Sequence, residues 1–557
     1  MVQFLLLLLL AATVHSICVP SHDNHVVQLP TGRYHGRHDP SSSTTTYFSI
    51  PYAFATRFEK SKPIEEKPDV SRSAVVDASK HGPACPIFNL PPPYDKGFGA
   101  LLGDQPIKPQ SEECLTMDIY VPDGDHKDLP VSLFTHGGAF LVGSSFTYDM
   151  SPLVAKSMEL GLPMIAISIQ YRLGPLGFLN PSSLGSQSMD LGILDQVEAL
   201  RWVRRNIQAF GGSHKRVTIS GESAGGESTL YQLLWTDENL FRSAWLMSVP
   251  SSGQPFLAPQ PSFKDDLVKS YAKACGCSGT KSIHAAVACL KSTGPKVMVN
   301  RSAAWEGSQT SLGGLIRHNM FDTIRKHKFP KIPVVFSVTR DEGTVLALGF
   351  EPDSTEATKR SLAGYIAGAG LSGRKAANFV QQLLKAYPND PVLGSPFDAA
   401  DTDYGFGSHY KRAAAMATDG TFVEPWYEYL QTFSERTKTF GLLWNQPAPK
   451  TPRSLGVNHG ADLSFYFPLL AGEDRDPRKT TEGRRFVNAL QSALVNFVHY
   501  GDPNGCVATG QGEKYTWPEY SKNGQVTVMS ASNITSEPQP RRPGFDVFRR
   551  FLRPGSL

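Results

Sequence analysis

The chain has 557 residues, 40% hydrophobic and 19% charged, a balance ordinary for a globular protein able to bury a sizeable core. Its 55 Lys and Arg against 51 Asp and Glu leave a net charge of +4, and no basic cluster stands beside an aromatic platform, so nucleic acid is excluded as an expected partner. No internal repeat, low-complexity linker or charge block divides the sequence, which reads as one large domain.

At the N-terminus, Phe4 to Val14 is an apolar run of secretory-leader length, far short of a membrane span, and the small Ser16 fits a signal-peptidase site. Residues 1–16 are therefore predicted to be a signal peptide, residues 17–557 the mature domain, and the protein secreted. The leader has no Lys or Arg before its apolar run. The stretch Arg541 to Arg550 is too charged for the tail of a glycolipid anchor.

Secretion permits disulfides, and seven cysteines leave at least one unpaired. Cys85 and Cys114 bracket a Pro- and Gly-rich stretch, and Cys277 and Cys289 a shorter one; both read as closed surface loops. Cys275 could replace Cys277, and Cys18 and Cys506 have no evident local partner. With no C-x-x-C and no H-E-x-x-H, no metal is expected. Asn300 and Asn533 head glycosylation sequons.

Pro130 to Thr135 and Met164 to Tyr171 are near-continuous apolar or β-branched runs, as expected of strands buried on both faces of a parallel sheet. The first runs into His136-Gly-Gly-Ala-Phe140, either a tight turn or a loop that aims backbone N–H groups at a developing oxyanion; His136 itself is read as structural. Apolar residues at 194, 197, 200, 203 and 207 keep helical spacing. Val217 to Ser220 then reads as a strand breaking into Gly221-Glu-Ser-Ala-Gly225, the G-x-S-x-G of a nucleophile elbow with Ser223 at its centre, and Ser228 to Leu234 is helix-compatible. With 49 glycines a bare match has a real chance rate, and the flanking strand and helix are what raise it. Ala244 to Val249 and Ile332 to Val338 add two buried strands, and Phe486 to Val498 a late amphipathic helix. Strands alternating with helices predict an α/β layer architecture.

A nucleophilic serine needs a base and an acid, and hydrolases with this elbow order them Ser, then Asp or Glu, then His. Asp341-Glu342-Gly343 closely follows a predicted strand, and composition does not choose between its two acids. Beyond it only His409, His459 and His499 remain. His409 and His499 fall in helical stretches and read as surface or packing residues, whereas His459 stands in the polar loop Gly456-Val-Asn-His-Gly-Ala-Asp462.

These motifs, with Ile50-Pro-Tyr-Ala, Ser111-Glu-Glu-Cys-Leu115, Tyr171-Arg-Leu-Gly-Pro-Leu-Gly-Phe178, Ala209-Phe-Gly-Gly212 and Tyr500-Gly-Asp-Pro503, make a chain that resembles the type-B carboxylesterase/lipase family, which includes the cholinesterases and the secreted fungal lipases. The resemblance covers nearly all of the mature chain, in order. It implies an α/β-hydrolase fold, a central mostly parallel sheet flanked by helices in a single large domain. It further implies a triad of Ser223, Glu342 and His459, choosing Glu342 over Asp341, and an oxyanion hole of Gly138, Ala139 and Ala224, with Ala139 where the family often has Gly. Disulfides Cys85 to Cys114 and Cys277 to Cys289, and ion pairs Arg57 to Glu112 and Arg172 to Asp195, are implied in the same way. The expected partner is a small-molecule or lipid ester, and no cofactor is expected.

Two alternatives are a choline ester hydrolase and a non-catalytic cholinesterase-like adhesion protein. All three triad positions are filled, against the second; the loop from Cys85 to Cys114 has no Trp to hold a quaternary ammonium, against the first. That loop carries two apolar patches, Ile87 to Pro93 and Phe98 to Leu102, and is expected to cover the site or make a transient lipid-interface contact. The alternative is that Phe88, Leu90 and Leu101 pack onto the body.

Overall fold

The structure, a computed structural model, describes residues 25–64, 74–88, 109–251, 261–302, 314–348, 353–368, 373–397, 403–470, 472–505, 516–520, 524–530, 534–538 and 543–552. The expected leader, Asn533, Cys18, Cys506 and the loop interior with Leu90, Phe98 and Leu101 lie outside the described residues.

Seven strands run parallel: Ile165–Ile169, Leu129–Thr135, Gly212–Glu222, Ser243–Met247, Val334–Thr339, Thr439–Asn445 and Gln525–Ser530, adjacent in that order. Antiparallel strands extend the sheet at both sides, Thr116–Pro122 and then Thr44–Pro51 next to Ile165–Ile169, and Ile534–Pro538 next to Gln525–Ser530. Leu129–Thr135, Ile165–Ile169, Ser243–Met247 and Val334–Thr339 are buried at every residue.

Strand side chains alternate between faces, and here the alternation feeds two separate cores. Val334, Phe336 and Val338 join Ala244 and Leu246 in one, packed under helices Leu191–Asn206, Ala224–Trp235 and Glu424–Ser434. Val335, Trp245 and Met247 belong to the other, covered by Ser151–Glu159 and Thr481–Tyr500. Each Val, Leu, Phe or Met among them contributes roughly 1.5–3 kcal/mol on burial. Helices on both faces of a mostly parallel sheet are the α/β-hydrolase architecture, in a single domain.

The loop anchors are fixed. Cys85–Cys114 and Cys277–Cys289 are both disulfide-bonded, and Cys275 is a buried free thiol whose pKa burial raises. Phe88 is fully buried and its N–H donates to Leu141 O at 2.9 Å, so this end of the loop does pack onto the body. Arg172 grips Asp195 through Nε and a terminal nitrogen, both at 2.7 Å, with both side chains buried. Arg57 holds Glu112 from two nitrogens, one at 2.8 Å. Asn300 ends the helix Pro295–Asn300 and is exposed.

Candidate active site

The strand Gly212–Glu222 stops one residue before the helix Ala224–Trp235 starts, and Ser223 is the residue between them. Its backbone, at φ 56° and ψ −124°, is one a side chain adopts only under strain, costing on the order of 1–3 kcal/mol. Two bonds hold it there: Ser223 N–H to Met247 O at 3.0 Å, and Glu227 N–H to Ser223 O at 2.8 Å. Gly225 is required by close approach, since a Cβ there would lie 2.0 Å from Thr135 O. The sharp turn places Ser223 at the C-terminal edge of the sheet, where ligands bind in open α/β proteins.

The neighbouring strand, Leu129–Thr135, delivers the glycine-rich loop to the same edge. A Cβ on Gly137 would come within 3.0 Å of Ser223 Cβ, so loop and elbow touch. Gly138, Ala139 and Phe140 all have positive φ, 102°, 53° and 58°, and the reversal is closed by Leu141 and Val142 N–H bonds to Gly138 O. Ala224 is buried at the first helical position, where backbone N–H groups have no partner within the helix. His136 is buried, stacks on Tyr171 at 4.5 Å and donates from Nδ1 to Gly137 O at 2.9 Å. Burial lowers its pKa to about 4, so it is a neutral brace.

Glu342 and His459 come from loops after two further parallel strands, Val334–Thr339 and Thr439–Asn445. His459 Nδ1 meets Glu342 Oε2 at 2.5 Å. The other carboxylate oxygen, Oε1, accepts from Ser248 Oγ at 2.6 Å and Thr339 N–H at 2.7 Å, which fixes the acid. Phe422, from a π-helical turn Thr418–Val423, lies against the imidazole with ring centroids 4.7 Å apart. His409 and His499 sit elsewhere: His409 precedes the helix Tyr410–Ala417, and His499 Nε2 contacts Leu162 O at 3.0 Å.

Two further acids crowd the imidazole, and the sequence reading assigned neither. Glu222 Oε1 stands 3.2 Å from His459 Nε2, in ion-pair contact rather than a directed hydrogen bond. Both oxygens of the fully buried Asp462 lack a hydrogen-bond partner; the N–H groups of Asp462 and Leu463 lie near enough only to moderate its charge. Burial, aided by neighbouring carboxylates, raises Glu222 to about 8 and Asp462 to about 7. Burial opposes the His459 imidazolium, but the charges of Glu222 and Glu342 outweigh it and raise the imidazole. The only sequence signal for Glu222 was an acid held between Gly221 and Ser223 at the end of an apolar strand.

Among the described residues no group of three or more His, Cys, Asp or Glu could hold a metal, and no helix is long and apolar enough to cross a membrane. The site brings together a hydroxyl on a strained turn, N–H groups at the start of a helix, and an imidazole in contact with a fixed carboxylate.

The chain is similar to Lipase 4 of Diutina rugosa, 29% identical over 88% of this chain and 90% of that lipase. It is also similar to a Cholinesterase of Mus musculus, 27% identical over 91% and 84%, and to Secreted lipase 1 of Botryotinia fuckeliana, 28% identical over 88% and 86%. The crystal structure of Aspergillus niger EstA superposes with a TM-score of 0.76 over 96% of this chain and 99% of that one, at 19% identity, a likeness of fold. The family model for the carboxylesterase family matches residues 23–544, nearly the whole described chain, and the protein belongs to that family.

Proposed function

We propose that the protein is a secreted carboxylic ester hydrolase that works through an acyl-enzyme on Ser223. The observation that carries this reading is the 2.5 Å contact of His459 Nδ1 with Glu342, which leaves Nε2 facing the residue next to Ser223. His459 takes the Ser223 proton as Oγ attacks the ester carbonyl, while Glu342 holds the tautomer and stabilises the imidazolium. Backbone N–H groups of Gly138, Ala139 and Ala224 receive the oxyanion. The protonated His459 then gives its proton to the departing alcohol, and water repeats the sequence to release the acid. Secretion is supported by the expected leader, by two disulfides and by the similarity to a lipase named as secreted.

Ser223→Ala should abolish hydrolysis of p-nitrophenyl butyrate and labelling by an organophosphate, with the melting temperature retained. His459→Ala should lower kcat about as severely, since triad members act as a unit, while His409→Ala and His499→Ala should not. A folded Ser223→Ala protein that still turned over the ester would refute the assignment.

A further inference from the structure

We infer that Asp341 is a positioning residue for the reaction proposed above, clamping the loop that carries His459 onto the loop that carries Glu342. The inference rests on that reading of the triad. Asp341 is buried beside Glu342, and its carboxylate is hydrogen-bonded by other segments of the chain. Oδ2 accepts the Val457 N–H at 2.9 Å, and the Asp341 N–H donates back to Val457 O at 2.9 Å. Val457 lies two residues before His459, and the same strip continues as a parallel bridge between Asp341 and Asn458. Thr344 extends it, its one hydroxyl proton shared between Asp341 O at 3.0 Å and Leu455 O at 2.9 Å.

The other oxygen, Oδ1, ties in a third segment, accepting from Ser395 Oγ at 2.8 Å and Phe397 N–H at 2.9 Å. One carboxylate thus collects three donors from two segments and gives the two loops a common anchor. A chain held only by its Nδ1 to Oε2 contact could rotate the imidazole about that bond. The reciprocal pair at Val457 removes the freedom, because it fixes the backbone from which the imidazole projects. An error of about 1 Å in such a group costs on the order of 100-fold in rate.

Asp341→Asn tests the clamp. The amide keeps the volume, but either way round its NH2 faces a backbone N–H, of Val457 or of Phe397. On p-nitrophenyl butyrate, kcat should fall roughly 10- to 100-fold while KM stays within about twofold. In a Glu342→Gln background the same substitution should cost less than about threefold, because an imidazole without its acid gains little from being held to it. Ser395→Ala removes one donor of three and should show the same pattern at smaller size, which also serves if Asp341→Asn does not fold. Equal losses in both backgrounds, or undiminished kcat in folded Asp341→Asn, would overturn the clamp. Ser223→Ala run alongside separates the failures: turnover surviving there refutes the ester-hydrolase site, and equal losses with an inactive Ser223→Ala refute only Asp341.

Discussion

Replacing Glu222 with Gln should move the acid limb of the kcat/KM profile to lower pH. In the proposed mechanism His459 must be neutral to accept the Ser223 proton, and Glu222 Oε1 lies 3.2 Å from its Nε2. At an effective dielectric of about 20, unit charges at that separation attract by roughly 5 kcal/mol, an upper limit near 3 to 4 pKa units. Opposite charges this close shift pKa values by about 1–3 units in practice. Glu222 is raised as well, by burial, so the acid and the imidazole compete for a proton. Carboxylic acid with imidazole is competent, and carboxylate with imidazolium is not. Gln removes the second arrangement, so the limb should fall by roughly one unit or more. Because both groups are buried, the shift should be insensitive to ionic strength. The assay is p-nitrophenyl butyrate hydrolysis from acid to alkaline pH, followed at a wavelength where product absorbance does not depend on its ionisation. A limb that stayed in place, or rose, in a folded Glu222→Gln protein would refute the charge argument.

Ala139→Gly should retain esterase activity and stability to within about 1 kcal/mol, since the N–H survives and the cost of a positive φ is relieved; a tenfold loss of kcat would show that the Ala139 methyl shapes the site. Asp195→Ala should destabilise the protein by about 3–5 kcal/mol in urea unfolding, because it strands a buried guanidinium; a change under 1 kcal/mol would mean that water or another acid reaches Arg172.

The parts of the fold legible from sequence were those where burial is uniform. Leu129–Thr135 and Val334–Thr339 read as strands because every position is apolar, small or β-branched. The elbow strand is legible only from Val217, whereas it starts at Gly212: its first part, Ser213-His-Lys-Arg, is polar, and its register shifts between Gly212 and Val217. Thr439–Asn445 was not anticipated, since Gly441 interrupts its apolar run; in the fold that gap admits Val526, which a Cβ would meet at 2.5 Å. The family resemblance chose Glu342 over Asp341, and the geometry places the histidine on Glu342. Composition does not say which of two adjacent acids meets the histidine, because that is set by how the turn after Thr339 packs against the distant loop that carries His459. Glu222 and Asp462 were visible as letters, but their raised pKa values arise from burial by distant segments.

The bridge between Asp341 and Asn458 has a consequence for biosynthesis. A growing chain completes the elbow and its glycine-rich loop more than two hundred residues before it reaches His459, the proposed base. On the proposed assignment, the serine gains its base only once Thr439–Asn445 lies beside Val334–Thr339 and the loop after it is in place. In refolding, turnover should return only when these late segments have joined.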